Sequence, residues 1–389
     1  MSITDVVFCL PDDVHAVPDP TGAEVLVARR GSRLPPQVLS DDAWALLQRF
    51  RTPATLTAAI IDHCREFDRD PVTTLDEAFA VLVALTQHDL LVPEAEAAAL
   101  VARLAPGRTI GQATLTAPIR VLRDSELWWA RLPDRATAVV KVVDEPTVGR
   151  DLFTREVTAL QRLAGGPVPD LLWHRPSGTG GTMLLSCAEG DPIDLAALDE
   201  RGHRSTHSAT SLVLAMLDAY TEVHARGVLH GDVHPGNVLA TPDGRIHLLD
   251  FGLAAITGSD LGPPARTAGG EHLDPQMATA LLANPDTAPD THSDPGTGLP
   301  DLDLPAEVYT IAALAYRVLT GHPHLDLAVE RRQALTMITT APPRPFTDLG
   351  RAAQPAIERV LARALAHEVD RRTGSVATLR EELAQAALQ

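Results

Sequence analysis

Positive charge of one kind is nearly missing from this chain: of its 33 lysine and arginine residues, only Lys141 is a lysine. Acidic residues number 51, giving a formal net charge of -18. That balance argues against a phosphate-backbone partner, which needs basic faces, so no nucleic acid is expected to bind. Cysteine is scarce as well. Cys9, Cys64 and Cys187 lie far apart with no C-x-x-C pair, so neither a disulfide framework nor a zinc site is indicated. No apolar run approaches the ~20 residues of a membrane-spanning helix. Met1-Ser2-Ile3-Thr4-Asp5 lacks the basic-then-apolar layout of a signal peptide. A cytoplasmic protein without a membrane partner is expected, and its 389 residues imply more than one domain.

What is present falls into segments. Residues 1–95 read as a small α/β unit, with strand patterns at 14–17, 24–28 and 33–39 and a turn signal at Pro18-Asp19-Pro20-Thr21-Gly22. Ser40 caps a helix with Asp41 and Asp42 in its first turn and Trp44, Leu47 and Phe50 on one face. Two more helices are predicted over about 56–67 and 75–87. Three strands followed by three helices resemble a winged-helix module. The strings Asp41-Asp42-Ala43-Trp44-Ala45-Leu46-Leu47, Leu56-Thr57-Ala58-Ala59-Ile60 and His88-Asp89-Leu90-Leu91 resemble PqqD-like leader-recognition domains, found in enzymes that modify ribosomally made peptides. An unrelated winged-helix adaptor is the other reading.

An alanine-rich stretch at 94–104, ending at Pro106-Gly107, reads as a helical linker, and 96–107 is taken as the boundary. Residues 108–185 are strand-rich around one helix at about 151–163, and residues 186–389 are mostly helical. Within the latter, 277–305 contains a stretch dense in Pro, Asp, Gly and Thr and reads as a mobile insertion.

Lys141 lies in the apolar strand Ala138-Val139-Val140-Lys141-Val142-Val143. Lysine is a compact point charge and arginine a planar fork. The lone lysine therefore reads as a phosphate contact in a nucleotide site, with a snorkelling half-buried side chain as the alternative. Downstream stands Leu229-His230-Gly231-Asp232-Val233-His234-Pro235-Gly236-Asn237, then Ile246-His247-Leu248-Leu249-Asp250-Phe251-Gly252. This is H-x-D-x-x-x-x-N followed by D-F-G, with an apolar strand pair around Asp243-Gly244 between them. Together they resemble the catalytic and magnesium loops of the protein-kinase superfamily.

That resemblance implies an α+β chain in which a two-lobed kinase-like fold spans residues 108–389, with ATP and Mg2+ as cofactors. It implies that Asp232 orients or deprotonates an attacking hydroxyl, while Asn237 and Asp250 hold the metal. Lys141 would contact the phosphates and pair with Glu156, which shares an inward helix face with Phe153 and Leu160. Ser186 and Ala188 fall where the hinge backbone reads adenine. His234 stands where Ser/Thr kinases place a lysine; it either assists the transferring phosphate when protonated or braces the loop.

The chain departs from the family pattern in places. Residues 119–125 lie where a glycine-rich loop belongs, without its glycines. Gly231 replaces the arginine of H-R-D, implying activity without activation-loop phosphorylation. Gln276 and Glu307 replace two acids, Glu and Asp, whose ion pairs then become hydrogen bonds or are lost. Similar H-G-D loops occur in the kinase domains of lanthipeptide synthetases. The expected function is an ATP- and Mg-dependent Ser/Thr kinase acting on a ribosomally made precursor peptide. Its leader would bind residues 1–95, and a separate lyase would complete dehydration. A regulatory Ser/Thr kinase with a docking domain and a pseudokinase scaffold are the alternatives.

Overall fold

The computed structural model describes residues 6–18, 24–29, 37–70, 74, 78–79, 81–83, 85–86, 90–96, 101–122, 124–197, 206–264, 266, 273–284, 299–328 and 331–389. Two units emerge from the chain contacts. One is Met1–Ala105 with Pro118–Glu126 and Val329–Arg331; the other is Pro106–Ala117, Leu127–Ala328 and Arg332–Gln389.

In the first unit, β1 (Val7–Cys9) precedes β2 (Val14–Pro18), β3 (Glu24–Arg29), β4 (Gln37–Ser40), α1 (Asp41–Gln48), β5 (Ala54–Thr55), α2 (Leu56–Glu66) and β6 (Val92–Pro93). Strands β2, β3 and β4 form one antiparallel sheet, with Val17 opposite Leu26 and Val25 opposite Leu39. A second small sheet has the order β5-β1-β6. Its strands of two or three residues are too short to display the period-2 pattern that reveals a strand in sequence. The predicted cap is present, with Ser40 Oγ accepting from Ala43 N–H, and the structure adds a second, Thr55 Oγ1 accepting from Ala58 N–H. Leu47, Phe50, Leu56, Ile60 and Leu82 close the core. Of the helix expected at 75–87, residues 78–79, 81–83 and 85–86 are helical, and the rest lies outside the described residues.

The stretch expected to be a helical linker is not helical at 101–105. Buried Glu126 accounts for this. It accepts the backbone N–H groups of Arg103 at 2.6 Å and Leu104 at 3.4 Å, donors that a helix would spend on its own carbonyls.

Next along the chain come β7 (Thr109–Ile110), β8 (Ala113–Val121), β9 (Ser125–Arg131), β10 (Thr137–Asp144), α3 (Gly149–Arg162), β11 (Leu171–Ser177) and β12 (Gly180–Ser186), all in the second unit except residues 118–126 of β8, β9 and their connection. These strands form a six-stranded sheet in the order β11-β12-β10-β9-β8-β7. Between β8 and β9, Leu122 N–H donates to Ser125 O at 2.8 Å. Trp128 is buried, whereas its neighbour Trp129 is 39% exposed.

Short strands and long helices follow: β13 (Asp191–Pro192), α4 (Thr206–Ala225), β14 (Val228–Leu229), β15 (Val238–Ala240), β16 (Ile246–Leu248), β17 (Ala255–Ile256), α5 (Pro275–Ala283), α6 (Leu304–Thr320), α7 (Arg331–Thr340), α8 (Pro355–Ala364) and α9 (Val376–Ala386). Nearly all of α6 is buried, including Tyr309 and Tyr316. Asp303 caps it, Pro305 sits in its first turn, and Gly321 ends it in a left-handed conformation.

The interval 277–305 is shorter as an insertion than its composition suggests. Residues 277–283 belong to α5, whose Met277, Ala278 and Leu281 are buried with Leu325, Leu335 and Ile338. Residues 304–305 already belong to α6, and 285–298 lie outside the described residues. Among the described residues, no helix is long and apolar enough to cross a membrane.

Candidate active site

Strand β10 carries Lys141 into the interior, where it is 5% exposed. Its Nζ lies 2.7 Å from Glu156 Oε2 and 2.7 Å from Asp250 Oδ1. Helix periodicity puts Glu156 beside Phe153 and Leu160, and all three are buried, so the carboxylate is not part of a surface pair. Burial alone would weaken the Lys141 ammonium, but Asp250 and Glu156 outweigh it and hold the group above the ordinary lysine value. A fixed cation between two carboxylates is suited to receive phosphate oxygens.

The loop after β14 is built around His230, which is fully buried. Its Nε2–H donates to Leu249 O at 2.8 Å, leaving Nδ1 to accept Asp232 N–H at 3.2 Å. Burial pushes its pKa down, in keeping with this neutral ring, which lies 4.6 Å from the Phe251 ring. Glu307 on α6 accepts His230 N–H and Gly231 N–H, each at 2.8 Å, and approaches His224 Nε2 at 2.7 Å. Burial raises the Glu307 carboxyl, yet His224 and the neighbouring donors hold it below the usual range. The substituted acid therefore anchors the loop through backbone amides.

Gly231 is required where it stands. Its φ is +80°, and a Cβ would meet Leu253 O at 2.0 Å. Arginine cannot occupy that backbone.

Asn237 Nδ2 donates to Asp232 O at 3.0 Å and to Asp232 Oδ2 at 2.9 Å, which turns its carbonyl oxygen away from the aspartate. Burial raises Asp232, but the His234 hydrogen bond and charge pull it below the ordinary carboxylate value. His234 Nε2 lies 3.6 Å from Asp232 Oδ2, while Nδ1 accepts Gly236 N–H at 3.1 Å. This ring braces its own loop and faces the aspartate. Asp250 adopts a left-handed φ of +59°, a conformation costing about 1–3 kcal/mol for a non-glycine residue. Its contact with Lys141 helps to hold it there.

The hinge candidates differ from each other. Ser186 N–H goes to Asp170 O at 2.9 Å, and its Oγ accepts Asp170 N–H at 2.8 Å. The Ser186 amide is therefore committed to Asp170 and is not free to read a base.

Asn237 and Asp250 supply hard oxygens that fit a magnesium ion. Among the described residues, no group of three or more His, Cys, Asp or Glu could hold a metal by itself. Magnesium commonly binds through one or two carboxylates plus substrate phosphates. When bound, the ion would bridge the phosphates and neutralise developing charge.

Residues 133–379 match the protein kinase domain. The chain belongs to the protein kinase family. Members of this family use ATP, typically with Mg2+. The match begins beyond residues 119–125, the segment that lacks the loop glycines. Among curated relatives, it is 30% identical to the DNA damage-responsive serine/threonine-protein kinase RqkA of Deinococcus radiodurans, over 60% of this chain and 33% of the relative. It is 29% identical to serine/threonine-protein kinase PknL of Mycobacterium tuberculosis, over 49% of this chain and 44% of the relative. With serine/threonine-protein kinase PknK of Mycobacterium bovis, identity is 30% over 64% of this chain and 21% of the relative. The chain thus spans less than half the length of these relatives, each of which is a serine/threonine-protein kinase by name.

Within the kinase domain, Gln276 Oε1 accepts from Arg372 Nη2 at 2.9 Å, and its Nε2 donates to His367 O at 2.8 Å. The expected ion pair has become a pair of hydrogen bonds. Arg155 is the residue that sequence reasoning missed. It is 2% exposed and donates to backbone carbonyls about a hundred residues away, partners that leave no pattern in sequence.

Proposed function

We propose that this chain is an ATP- and Mg-dependent Ser/Thr kinase that phosphorylates a ribosomally made precursor peptide. The reading is carried by the buried Lys141–Glu156 pair and the Asp250 it meets, beside the Asp232–Asn237 loop. Lys141 would hold the ATP phosphates. Asp232 would take the hydroxyl proton as the Ser or Thr oxygen bonds to the γ-phosphorus and the bond to ADP breaks. Its depressed pKa keeps it ionised and able to orient that hydroxyl. His234 would steady the loop and lie near the transferred group.

The peptide substrate is inferred from the first unit. Its strand-then-helix order and its likeness to PqqD-like domains support a leader-binding role, in which an extended peptide adds to a sheet edge. Tethering would raise the concentration of the core peptide near Asp232. Phosphate on Ser or Thr then serves as a leaving group, which a separate lyase would eliminate to a dehydroamino acid. A second reading, a regulatory Ser/Thr kinase with a docking domain, is favoured by the curated relatives, which are serine/threonine-protein kinases.

Incubation of the full chain with Mg·ATP and a precursor peptide encoded beside its gene tests the choice. Mass additions of about 80 Da, one per phosphoryl group, are expected on the peptide. Deletion of residues 1–95 should abolish modification of the full precursor. Full activity after that deletion would remove the leader-binding role, and an unmodified peptide with active phosphorylation of other proteins would favour the regulatory reading.

A further inference from the structure

Helix α3 carries Glu156, so whatever fixes this helix also fixes the Lys141 pair. Arg155 lies off the stripe formed by Phe153, Glu156 and Leu160, yet it is 2% exposed. Its Nε donates to Asp151 Oδ2 at 2.7 Å. Its two terminal nitrogens donate to the carbonyls of Ala254 at 3.3 Å, Gly262 at 2.7 Å and Pro263 at 3.2 Å. Arg162, two turns further along α3, donates to Thr257 O at 2.6 Å. Two arginines on the helix thereby grip the stretch 254–263, which follows Asp250 directly.

The start of the helix is held as well. Glu145 Oε2 accepts N–H groups from Thr147 at 2.8 Å, from Val148, and from Gly149 at 3.1 Å. A Cβ on Gly149 would lie 2.3 Å from Thr179 O, so the helix backbone presses on the β11–β12 turn. In many kinases this helix and the following segment are set by activation-loop phosphorylation. Here backbone carbonyls occupy the guanidinium that could otherwise take such a phosphate, and Gly231 supplies no second arginine.

We propose that Arg155 is a positioning residue which keeps Glu156 paired with Lys141 by clamping α3 to the carbonyls of 254–263, independently of phosphorylation. This deepens the kinase reading above and rests on it. Methionine at 155 would keep the hydrocarbon bulk but strand three carbonyls, and lysine would restore a cation with fewer, less directed donors.

The test uses the full chain with Mg·ATP, reading phosphate release and autophosphorylation, with hydrogen exchange measured in parallel. Arg155→Met should lower kcat about 30-fold while KM for ATP changes by less than about fivefold, and Arg155→Lys should recover part of the loss. In a Glu156→Gln background, Arg155→Met should cost less than about threefold, because the pair it supports is already broken. Amides of α3 should exchange about tenfold faster in Arg155→Met while those of α6 stay unchanged. Thr267→Ala, in the segment after Asp250, should stay within about twofold of wild type. Faster exchange confined to α3 supports the clamp even if the wild-type chain turns over no ATP, a result that instead removes the kinase reading. Wild-type turnover and exchange in Arg155→Met overturn the proposal. So does an equal loss in the Glu156→Gln background, or a gain of about tenfold on phosphorylating the wild-type segment.

Discussion

Replacing Gly231 with alanine adds one methyl group at the centre of the catalytic loop. That carbon would lie 2.0 Å from Leu253 O, so the loop must shift by more than about 1 Å before the contact is tolerable. A left-handed φ of +80° adds about 1–2 kcal/mol for any residue bearing a Cβ. Moving the loop also loosens the hydrogen bond from Gly231 N–H to the buried Glu307 carboxylate, about 1.5–3 kcal/mol for a bond to a charged group. The combined cost is about 3–5 kcal/mol, a fall in Tm of roughly 6–20 °C for a unit of this size. Asp232 is the next residue, and a displacement of about 1 Å there should cost about 100-fold in turnover. Gly244→Ala is the control: its φ is +82°, but a Cβ meets nothing within 4 Å. It should lose only about 1–2 kcal/mol, with turnover unchanged. Thermal melting and steady-state turnover of both variants check this. If Gly231→Ala melts and turns over like Gly244→Ala, the close approach to Leu253 is not what demands glycine.

Lys141→Arg should keep the fold but lower turnover at least about 30-fold, since a planar guanidinium cannot take the ammonium's place between two carboxylates; kinetics with a circular-dichroism control would show it. Because the chain has one lysine, an amine-reactive ATP analogue should label a peptide containing Lys141, and excess Mg·ATP should protect it. Burial holds His324 at about 4, below the ~6.5 of an exposed histidine, so the unfolded chain takes up its proton first as pH falls. The fold is fully stabilised in this respect above pH ~6.5 and should lose about 3 kcal/mol between there and pH ~4. The pH dependence of melting across that window should be smaller in His324→Gln, which removes this imidazole and keeps the others. Gln276→Ala should cost about 1–2 kcal/mol by removing its hydrogen bonds to Arg372 and His367 O, which still keep each other as partners at 3.2 Å, read as a lower Tm.

The catalytic constellation was legible because its residues are fixed in both type and spacing. The H-x-D-x-x-x-x-N and D-F-G strings place Asp232, Asn237 and Asp250, and helix periodicity aims Glu156 inward toward Lys141. What escaped notice depends on partners that sequence does not display. Arg155 binds carbonyls, and every residue type has a carbonyl. Gly231 reads as a substituted arginine until its φ and the approach of Leu253 are known. Glu307 reads as a broken ion pair, yet it gathers two backbone amides and His224. Ser186 resembles a hinge residue, and only the β-ladder reveals that its amide is already spent on Asp170. The helical reading fails at 101–105 because alanine content speaks for local propensity, while Glu126 captures the same backbone donors from elsewhere in the chain.

The central claim is that Lys141, Asp250 and Asn237 form a working Mg·ATP site. Its most direct test is thermal melting of the full chain with and without Mg·ATP, for wild type and Asp250→Asn. At a nucleotide concentration about 100-fold above Kd, wild type should gain about 2.7 kcal/mol, a rise in Tm of several degrees that disappears in Asp250→Asn. An unshifted wild type, or an equal shift in Asp250→Asn, would contradict the account.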